Sequence, residues 1–189
     1  MQVPRADLLD MLERYLERHP DEVARVADFR RFVAEHPDCF EPSCPPGHVT
    51  ASAWIVSHDH RQFLLTHHRK LGRWLQLGGH ADGDSDVQRV ALCEAREESG
   101  MLVFDCLADE TGLALLDVDV HGIPARASEP AHLHFDLRFL LVAGRGQSLQ
   151  ISDESTDLRW FPRERMEEFA DEESLLRLGR KASMRLDLG

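Results

Sequence analysis

Residues 78–101, GGHADGDSDVQRVALCEAREESGM, decide the fold of this chain, because their helical pattern conflicts with their charges. Ser85, followed three residues later by Gln88, predicts a capping box at a helix start. Gly100 is a typical residue for the position just after a helix end. A helix of about four turns is therefore predicted between residue 86 and Gly100.

Three glutamates, Glu94, Glu97 and Glu98, fall on the inward side of this helix. At about 100° per residue they continue its apolar stripe, whereas Arg96 points away. The stripe consists of Val87, Val90 and Ala91. Neighbouring carboxylates that are partly removed from water need a compensating positive charge. A hard divalent cation, Mg²⁺ or Mn²⁺, would provide it through oxygen ligands; salt bridges to basic residues elsewhere are the alternative.

The same stretch resembles the signature of the Nudix hydrolase family, whose members include MutT-like proteins. That signature is a Gly, five residues, Glu, seven residues, and then Arg-Glu-apolar-any-Glu-Glu-any-Gly-apolar. Here Gly79 begins the pattern and residues 94–101, EAREESGM, end it with the spacing kept throughout. Ser85 and Cys93 stand where the family has Glu and Arg, which form a supporting ion pair. Both replacements are neutral, so neither leaves a stranded charge.

The resemblance covers about residues 49–169 and implies an α+β fold, a Nudix-type α/β/α sandwich with a mixed sheet. It also implies that the backbone carbonyl of Gly78 joins Glu94, Glu97 and Glu98 as a metal ligand. We therefore divide the chain into residues 1–46, an N-terminal helical hairpin with a Pro-rich connection, and residues 47–189, the Nudix domain.

The remaining elements follow from hydrophobic periodicity and from Gly and Pro punctuation. Helices are predicted at residues 4–19, 20–37, 162–169 and 173–186, and strands at residues 49–57, 62–67, 75–77, 102–107, 113–121, 131–143 and 151–161. Gly78 and Gly79 are expected to allow a sharp bend of the backbone. The apolar faces of the first two helices should cover the catalytic body, with a homodimer interface as the alternative.

Composition narrows the classes of partner. The 189 residues are 42% hydrophobic and carry a net charge of −12 with no dense Lys/Arg block, which argues against nucleic-acid binding. No signal peptide or membrane span is visible, so a cytoplasmic protein that does not bind membranes is expected. His36, Cys39, Cys44 and His48 have a spacing that a structural zinc ion could use, although the prolines among them are more typical of a linker.

Several residues outside the helix are candidates for binding the substrate. Arg69 and Arg73 precede the metal loop and could bind phosphates, or they could be solvated. Strand alternation puts His121 near His132 if their strands pair, and these two with His134 could bind phosphate, base or a second cation. A polar outer face of the sheet is the alternative. The acidic loop at residues 153–157 offers a further metal ligand or general base, with Glu154 as our choice.

Together with these residues, the resemblance to the Nudix family implies a metal-dependent pyrophosphohydrolase that cleaves the phosphoanhydride of a nucleoside diphosphate linked to another group. Glu94, Glu97, Glu98 and Glu154 are the predicted catalytic residues, and the expected partner is a small nucleotide. Two alternatives remain. A non-catalytic Nudix-fold nucleotide sensor would explain the neutral Ser85 and Cys93, and an isoprenoid diphosphate isomerase-like enzyme would use related metal chemistry on the same fold.

Overall fold

The computed structural model describes residues 4–125, 130–169 and 172–187. Within these ranges the helices are α1 Pro4–Arg18, α2 Val23–Glu35, α3 Val87–Ser99, α4 Met166–Phe169 and α5 Glu173–Asp187. The strands are β1 Gly47–Val56, β2 Gln62–His68, β3 Arg73–Leu75, β4 Leu77–His80, β5 Phe104–Cys106, β6 Leu115–Ile123, β7 His132–Ala143 and β8 Ser155–Pro162. No helix in the described part of the chain has the length and apolar character needed to cross a membrane.

The eight strands found in the described ranges form one mixed sheet with β1 at its centre. β1 pairs antiparallel with β2 and β4, and parallel with β7. β7 in turn pairs antiparallel with β5 and β6, while β2 pairs with β3 and β8. The predicted mixed sheet and its two hairpins, β1–β2 and β6–β7, are confirmed.

Helices cover both faces of this sheet. Because side chains alternate along a strand, Trp54 and Val56 of β1 point to one face and pack with Leu175 and Leu178 of α5. Val49 and Ala51 of β1 point to the other face, where they belong to a core shared with α1, α2 and α3. The arrangement is the predicted α/β/α sandwich.

The N-terminal helices supply part of that shared core. Phe32 of α2 stacks on Phe135 of β7 with ring centres 3.8 Å apart, and Phe29 meets the same ring edge-on at 5.3 Å. Leu8 and Leu12 of α1 are buried in the same cluster. The apolar faces of the hairpin therefore cover this chain's own sheet. A dimer formed through other surfaces of the hairpin stays a prediction.

Two local predictions are wrong. The second helix does not begin at Pro20, because residues Pro20–Glu22 form a 3-10 turn that precedes α2. The backbone does not bend sharply at Gly78 and Gly79, which instead lie in β4 opposite Ser52 and Ala51. A Cβ on Gly78 would lie 2.3 Å from the Cβ of Ser52, so the glycine serves a close approach of two strands.

A buried ion network joins α5 to the sheet. The guanidinium group of Arg138, on β7, contacts Asp136 at 2.9 Å, Asp119 at 3.0 Å and Asp117 at 3.3 Å. Arg177 of α5 contacts the carboxylates of Asp117 and Asp119 at 2.9 and 2.8 Å. The alternative of a polar outer face is wrong for this part of the sheet, which is an internal layer in which Asp117 and Arg138 are 0% and 3% exposed.

The charges in this layer are mutually compensated. Burial alone would raise the pKa of Asp119, but a hydrogen bond from His121 and the charges of Arg138 and Arg177 outweigh it and lower the pKa well below its ordinary value. The same balance, led by the Arg177 hydrogen bond, lowers the pKa of Asp117. Both carboxylates are therefore ionised and paired.

We expect Asp117→Asn to lower the free energy of unfolding by about 3–5 kcal/mol, because it removes the one carboxylate that Arg138, Arg177 and Lys181 all contact. The matched control is Asp105→Asn on the exposed side of β5, which should change stability by less than about 0.5 kcal/mol. Urea unfolding of both variants makes the comparison. Equal stabilities would mean that the network does not hold α5 to the sheet.

Candidate active site

α3 carries the three glutamates into the site, and both of its ends have identifiable caps. The Asp86 carboxylate accepts a hydrogen bond of 3.1 Å from the amide of Arg89. Gly100 adopts φ 72° and its amide bonds the carbonyl of Arg96. The helix ends where the sequence predicts. The capping box at Ser85 is wrong by one residue, because the Asp86 side chain is the one that reaches the amide of the third helical residue.

β4 brings its backbone directly against the glutamates. The amide of Gly78 donates a hydrogen bond of 2.8 Å to a carboxylate oxygen of Glu98. A Cβ on Gly79 would lie 2.6 Å from the carboxylate carbon of Glu94. Glu94 therefore occupies space that is open only because residue 79 has no side chain. This contact explains why the pattern needs Gly79 at that distance from the helix.

Burial, together with the negative charges of Glu97, Glu154 and Asp82, raises the pKa of Glu94 to about 7. Burial is also the main cause that raises the pKa of Glu98 to about 7, with Glu94 and Glu154 adding to it. The Gly78 amide opposes this rise only in part. Among the described residues, the side-chain charges that shift these two pKa values are all negative, so the carboxylates form an uncompensated negative centre.

The three glutamates and Gly78 form a set of oxygen donors that fits a hard divalent cation. The glutamates offer carboxylate oxygens, the neighbouring Gly78 offers a backbone carbonyl, and Mg²⁺ and Mn²⁺ prefer such ligands. The raised pKa values of Glu94 and Glu98 supply an independent reason, since a cation would remove the repulsion that causes them. Glu97 is exposed at the mouth of the site, whereas Glu98 is 8% exposed.

The loop before β8 brings Glu154 to the same place. The negative charge of Glu154 raises the pKa values of both Glu94 and Glu98, although Glu154 is distant from them in sequence. Arg69 holds this loop: its side chain donates to the carbonyls of Asp153 and Ser155 at 2.9 and 2.8 Å. Its amide also donates to the Glu154 carbonyl at 2.9 Å.

The two basic candidates differ in their contacts. Arg69 is tied to the Glu154 loop as described, while Arg73 forms an exposed ion pair with Glu172 just before α5. Both arginines therefore already contact protein groups, and of the two only Arg69 is tied to the loop that carries Glu154. Binding of substrate phosphates by them stays a prediction.

The histidine candidates do meet, in a different register from the one predicted. His121 lies opposite His134, and His132 lies opposite Ile123, because the β6–β7 pairing is shifted by two residues from the expected one. The Nε2 atoms of His132 and His134 are 3.3 Å apart. Burial and the surrounding imidazoles, foremost His121 and His48, lower the pKa of His134 to about 2, so this ring is neutral at neutral pH.

The proposed zinc ligands of the Pro-rich connection do not assemble. No three of His36, Cys39, Cys44 and His48 bring their ligand atoms together in the described part of the chain. His36 bonds the carbonyl of Phe32, and the Cys44 thiol contacts Asp38. His48 lies instead with the histidines of β4 and β7, since it is the second residue of β1.

A different ion pair lies near the two substituted signature positions. Arg89 of α3 pairs with Asp84 in the preceding loop, one helical turn before Cys93. The pair links loop to helix as the family's Glu and Arg would, but nearer the helix start. Its partners are 60% and 24% exposed, so its contribution to stability is small.

Sequence reasoning missed three residues of this region, Asp82, His80 and Arg138, and placed His48 in a different cluster, that of the Pro-rich connection. The negative charge of Asp82, in the loop that follows β4, raises the pKa of Glu94. His80 could have been found from its position directly after Gly78 and Gly79. Arg138 is a single cation in an apolar strand, a pattern that indicates a buried ion pair.

Comparison with solved structures identifies the fold. A C. elegans Ap4A hydrolase in a binary complex superposes with a TM-score of 0.59 at 20% identity, over 75% of this chain and 98% of that one. A Nudix-family hydrolase from Clostridium perfringens gives 0.54 at 25% identity, over 75% and 97%. The E. coli dihydroneopterin triphosphate pyrophosphohydrolase gives 0.52 at 12% identity, over 74% and 95%. The predicted Nudix fold is confirmed.

Comparisons with protein-family models and with the sequences of curated proteins give no match.

We expect Gly79→Ala to displace the Glu94 carboxylate, because the added methyl group would occupy its position. Glu94 is a flexible side chain and can move, so stability should change by less than about 1 kcal/mol while affinity for Mn²⁺ falls about tenfold or more. Gly122→Ala on β6 is the matched control, since a Cβ there meets nothing within 4 Å. Calorimetric titration with Mn²⁺ measures the difference, and equal affinities would place the cation away from Glu94.

Glu98→Gln should change how the stability of the metal-free protein depends on pH. A carboxyl group whose pKa rises to about 7 on folding stabilises the protein below its unfolded pKa, and this contribution is lost as pH rises through 7. Gln keeps an acceptor for the Gly78 amide and does not titrate. The variant should therefore gain on the parent by about 1–3 kcal/mol between about pH 5 and about pH 8.

Urea unfolding in EDTA at both pH values tests this expectation, with exposed Glu17→Gln as the control. A stability difference that is the same at both pH values would show that Glu98 is not titrating in this range.

Proposed function

We propose that this chain, which has the fold of the Nudix hydrolases, is a metal-dependent pyrophosphohydrolase. Its substrate would be a nucleoside diphosphate linked to another group. The proposal is carried by one observation: Glu94 and Glu98 are gathered against the backbone of β4 with pKa values near 7, and no basic side chain of the described residues pairs with them. Carboxylates arranged in this way are typical of a site completed by a divalent ion.

The comparisons support the reaction class. The C. elegans protein is an Ap4A hydrolase and the E. coli protein is a dihydroneopterin triphosphate pyrophosphohydrolase. Both names describe hydrolysis of compounds in which phosphate groups are linked to a nucleoside or a related ring system. A diphosphate within a nucleotide-like molecule is the element that the proposed substrate shares with them.

Glu94, Glu97, Glu98 and the Gly78 carbonyl would hold Mg²⁺ or Mn²⁺. Such an ion, when bound, neutralises diphosphate charge and lowers the pKa of coordinated water. Of these groups, Glu98 is held by the Gly78 amide, and its orientation is therefore fixed before any ligand arrives. Exposed Glu97 is the member that can adjust to the substrate.

A general base must lie in the same cluster. Glu94 has a pKa near 7, which suits a group that accepts a proton at neutral pH. Glu154 is the alternative, because it approaches from a separate loop and that loop is positioned by Arg69. After the base has removed a proton from water, the water oxygen would attack phosphorus and break the phosphoanhydride bond. The products would be a nucleoside monophosphate and a second phosphorylated compound.

Arg69, Arg73 and His121 are the groups proposed to bind the substrate. Guanidinium groups can donate several hydrogen bonds to phosphate oxygens. His132 and His134 suit an anion less well, because their Nε2 atoms face each other at 3.3 Å and an unprotonated imidazole nitrogen is an acceptor.

We expect Glu97→Gln and Glu98→Gln each to lower kcat by about 100-fold or more, because each change removes a ligand oxygen charge. Glu167→Gln, an exposed glutamate of α4, should leave hydrolysis unchanged. The assay is phosphate and nucleotide release over a panel of nucleoside diphosphate derivatives with Mg²⁺ or Mn²⁺.

Two results would oppose the proposal. Parental turnover in both variants at low Mg²⁺ would remove the glutamates from the metal site. Binding of nucleotides by the parent without hydrolysis of any would favour a nucleotide sensor.

A further inference from the structure

A second group of potential metal ligands lies on the sheet, and it consists of imidazoles. His48 of β1, His80 of β4 and His134 of β7 have their ligand nitrogens within 4.8 Å of one another. The three strands are neighbours: His48 lies opposite His134, and His80 lies opposite Thr50, two residues further along β1. Alternation along these strands puts all three side chains on one face.

This face is not the face that Glu94 uses. Adjacent residues of a strand point to opposite faces, and Glu94 fills the space beside Gly79. His80, the next residue, therefore points away from Glu94. The imidazoles and the carboxylates are two separate donor sets on the two sides of β4.

The spacing of the rings matches tetrahedral coordination. In such a site, bonds of about 2.0–2.1 Å place ligand nitrogens about 3.3–3.4 Å apart and imidazole ring centres about 5 Å apart. The ring centres of His48 and His80 are 4.5 Å apart, those of His48 and His134 are 4.8 Å apart, and those of His80 and His134 are 5.2 Å apart. Small rotations of the side chains would bring all three nitrogens to one ion.

His132 is placed to complete the set. Its Nε2 lies 3.3 Å from the Nε2 of His134, and its ring centre lies 5.0 Å from that of His48. Its Nδ1 donates a hydrogen bond of 3.0 Å to the carbonyl of Pro130. That bond fixes the proton on Nδ1 and leaves the Nε2 lone pair directed into the cluster, as metal-binding histidines commonly require.

The next shell contains two carboxylates, Asp119 and Asp136, whose charges are paired with Arg138. His121 approaches His134 with ring centres 5.4 Å apart, and its Nδ1 donates to Asp119 at 3.3 Å. Asp136, two residues along β7 from His134, is buried and accepts hydrogen bonds from Thr50 and Ser52. Asp119 therefore orients the His121 ring beside the cluster.

We propose that His48, His80 and His134 form a binding site for a Zn²⁺-class transition-metal ion, with Nε2 of His132 as the fourth ligand. Nitrogen ligands favour Zn²⁺, Co²⁺ and related ions over Mg²⁺, so this site and the glutamate site select different metals. A bound ion would fasten β4 to β1 and β7. β4 also carries Gly78 and Gly79, so the ion would stabilise the strand on which the glutamates rest.

The experiment uses the full chain, prepared without a polyhistidine tag and freed of metal. Zn²⁺ is titrated by calorimetry in the presence of excess Mg²⁺, which occupies the oxygen ligands. One equivalent should bind and should raise the melting temperature. Co²⁺ should give the intense visible absorption of a tetrahedral nitrogen site, a signal that is independent of any enzymatic activity.

His80→Gln is the principal variant, because His80 is exposed and its replacement should not disturb folding. Together with His134→Gln it should weaken Zn²⁺ binding at least about tenfold and abolish the Co²⁺ signal. His58→Gln, an exposed histidine between β1 and β2, is the matched control and should bind like the parent.

Three outcomes would overturn the site. Parental Zn²⁺ affinity in both His80→Gln and His134→Gln would place the ion elsewhere. Loss of binding in Glu98→Gln alone would assign Zn²⁺ to the carboxylates, and loss in Cys44→Ser alone would assign it to the Pro-rich connection. Failure of hydrolysis with retained Zn²⁺ binding would count against the proposed function and not against this site.

Discussion

The hydrogen bond from the Gly78 amide to Glu98 joins the two elements on which the site depends, β4 and α3. An unpaired carboxylate cannot easily remain 8% exposed next to others of the same charge. Here the backbone of β4 supplies a donor to Glu98, and the missing side chain of Gly79 supplies the room for Glu94. Because β4 is itself bonded to β1 at the centre of the sheet, the position of the carboxylates follows from the strand pairing.

The carboxylates removed from water in this chain form two groups, whose pKa values shift in opposite directions. Asp117 and Asp119 meet arginines from β7 and α5, and their pKa values fall. In the described part of the chain Glu94 and Glu98 meet no such partner, and burial raises their pKa values. Asp119 and Glu98 are each 8% exposed, so burial does not distinguish these two. The presence or absence of a protein cation does, and it separates a structural ion network from a site prepared for a ligand.

The sequence predicts what depends on local pattern. The α3 helix, its end at Gly100 and the inward direction of Glu94 and Glu98 follow from periodicity and from glycine chemistry, whereas Glu97, expected on the same inward side, is exposed. The mixed sheet follows from the resemblance carried by the same residues. Strand ends and the first residue of a helix are less well determined, because side chains such as that of Asp86 compete with their neighbours for the same amide.

Contacts that depend on strand register are not available from sequence. β1 pairs parallel with β7, a strand far along the chain, and only this pairing brings His48 beside His134. A shift of two residues in the β6–β7 hairpin changes the partner of His121 from His132 to His134. Glu154 could be placed only within an acidic loop, since its approach to Glu94 depends on the contacts that Arg69 makes after folding.

The contacts of the N-terminal hairpin bear on how the protein can be shortened. Tyr15 and Glu22 both contact Lys181 of α5, and Lys181 also contacts Asp117 at 2.7 Å. The helices before residue 47 thus supply part of the charge shell of an aspartate inside the sheet, besides covering the ring of Phe135. A recombinant fragment trimmed to residues 47–189 would expose that ring to solvent and leave Lys181 with one carboxylate fewer. The hairpin is therefore an integral part of the folded domain and not a separable module.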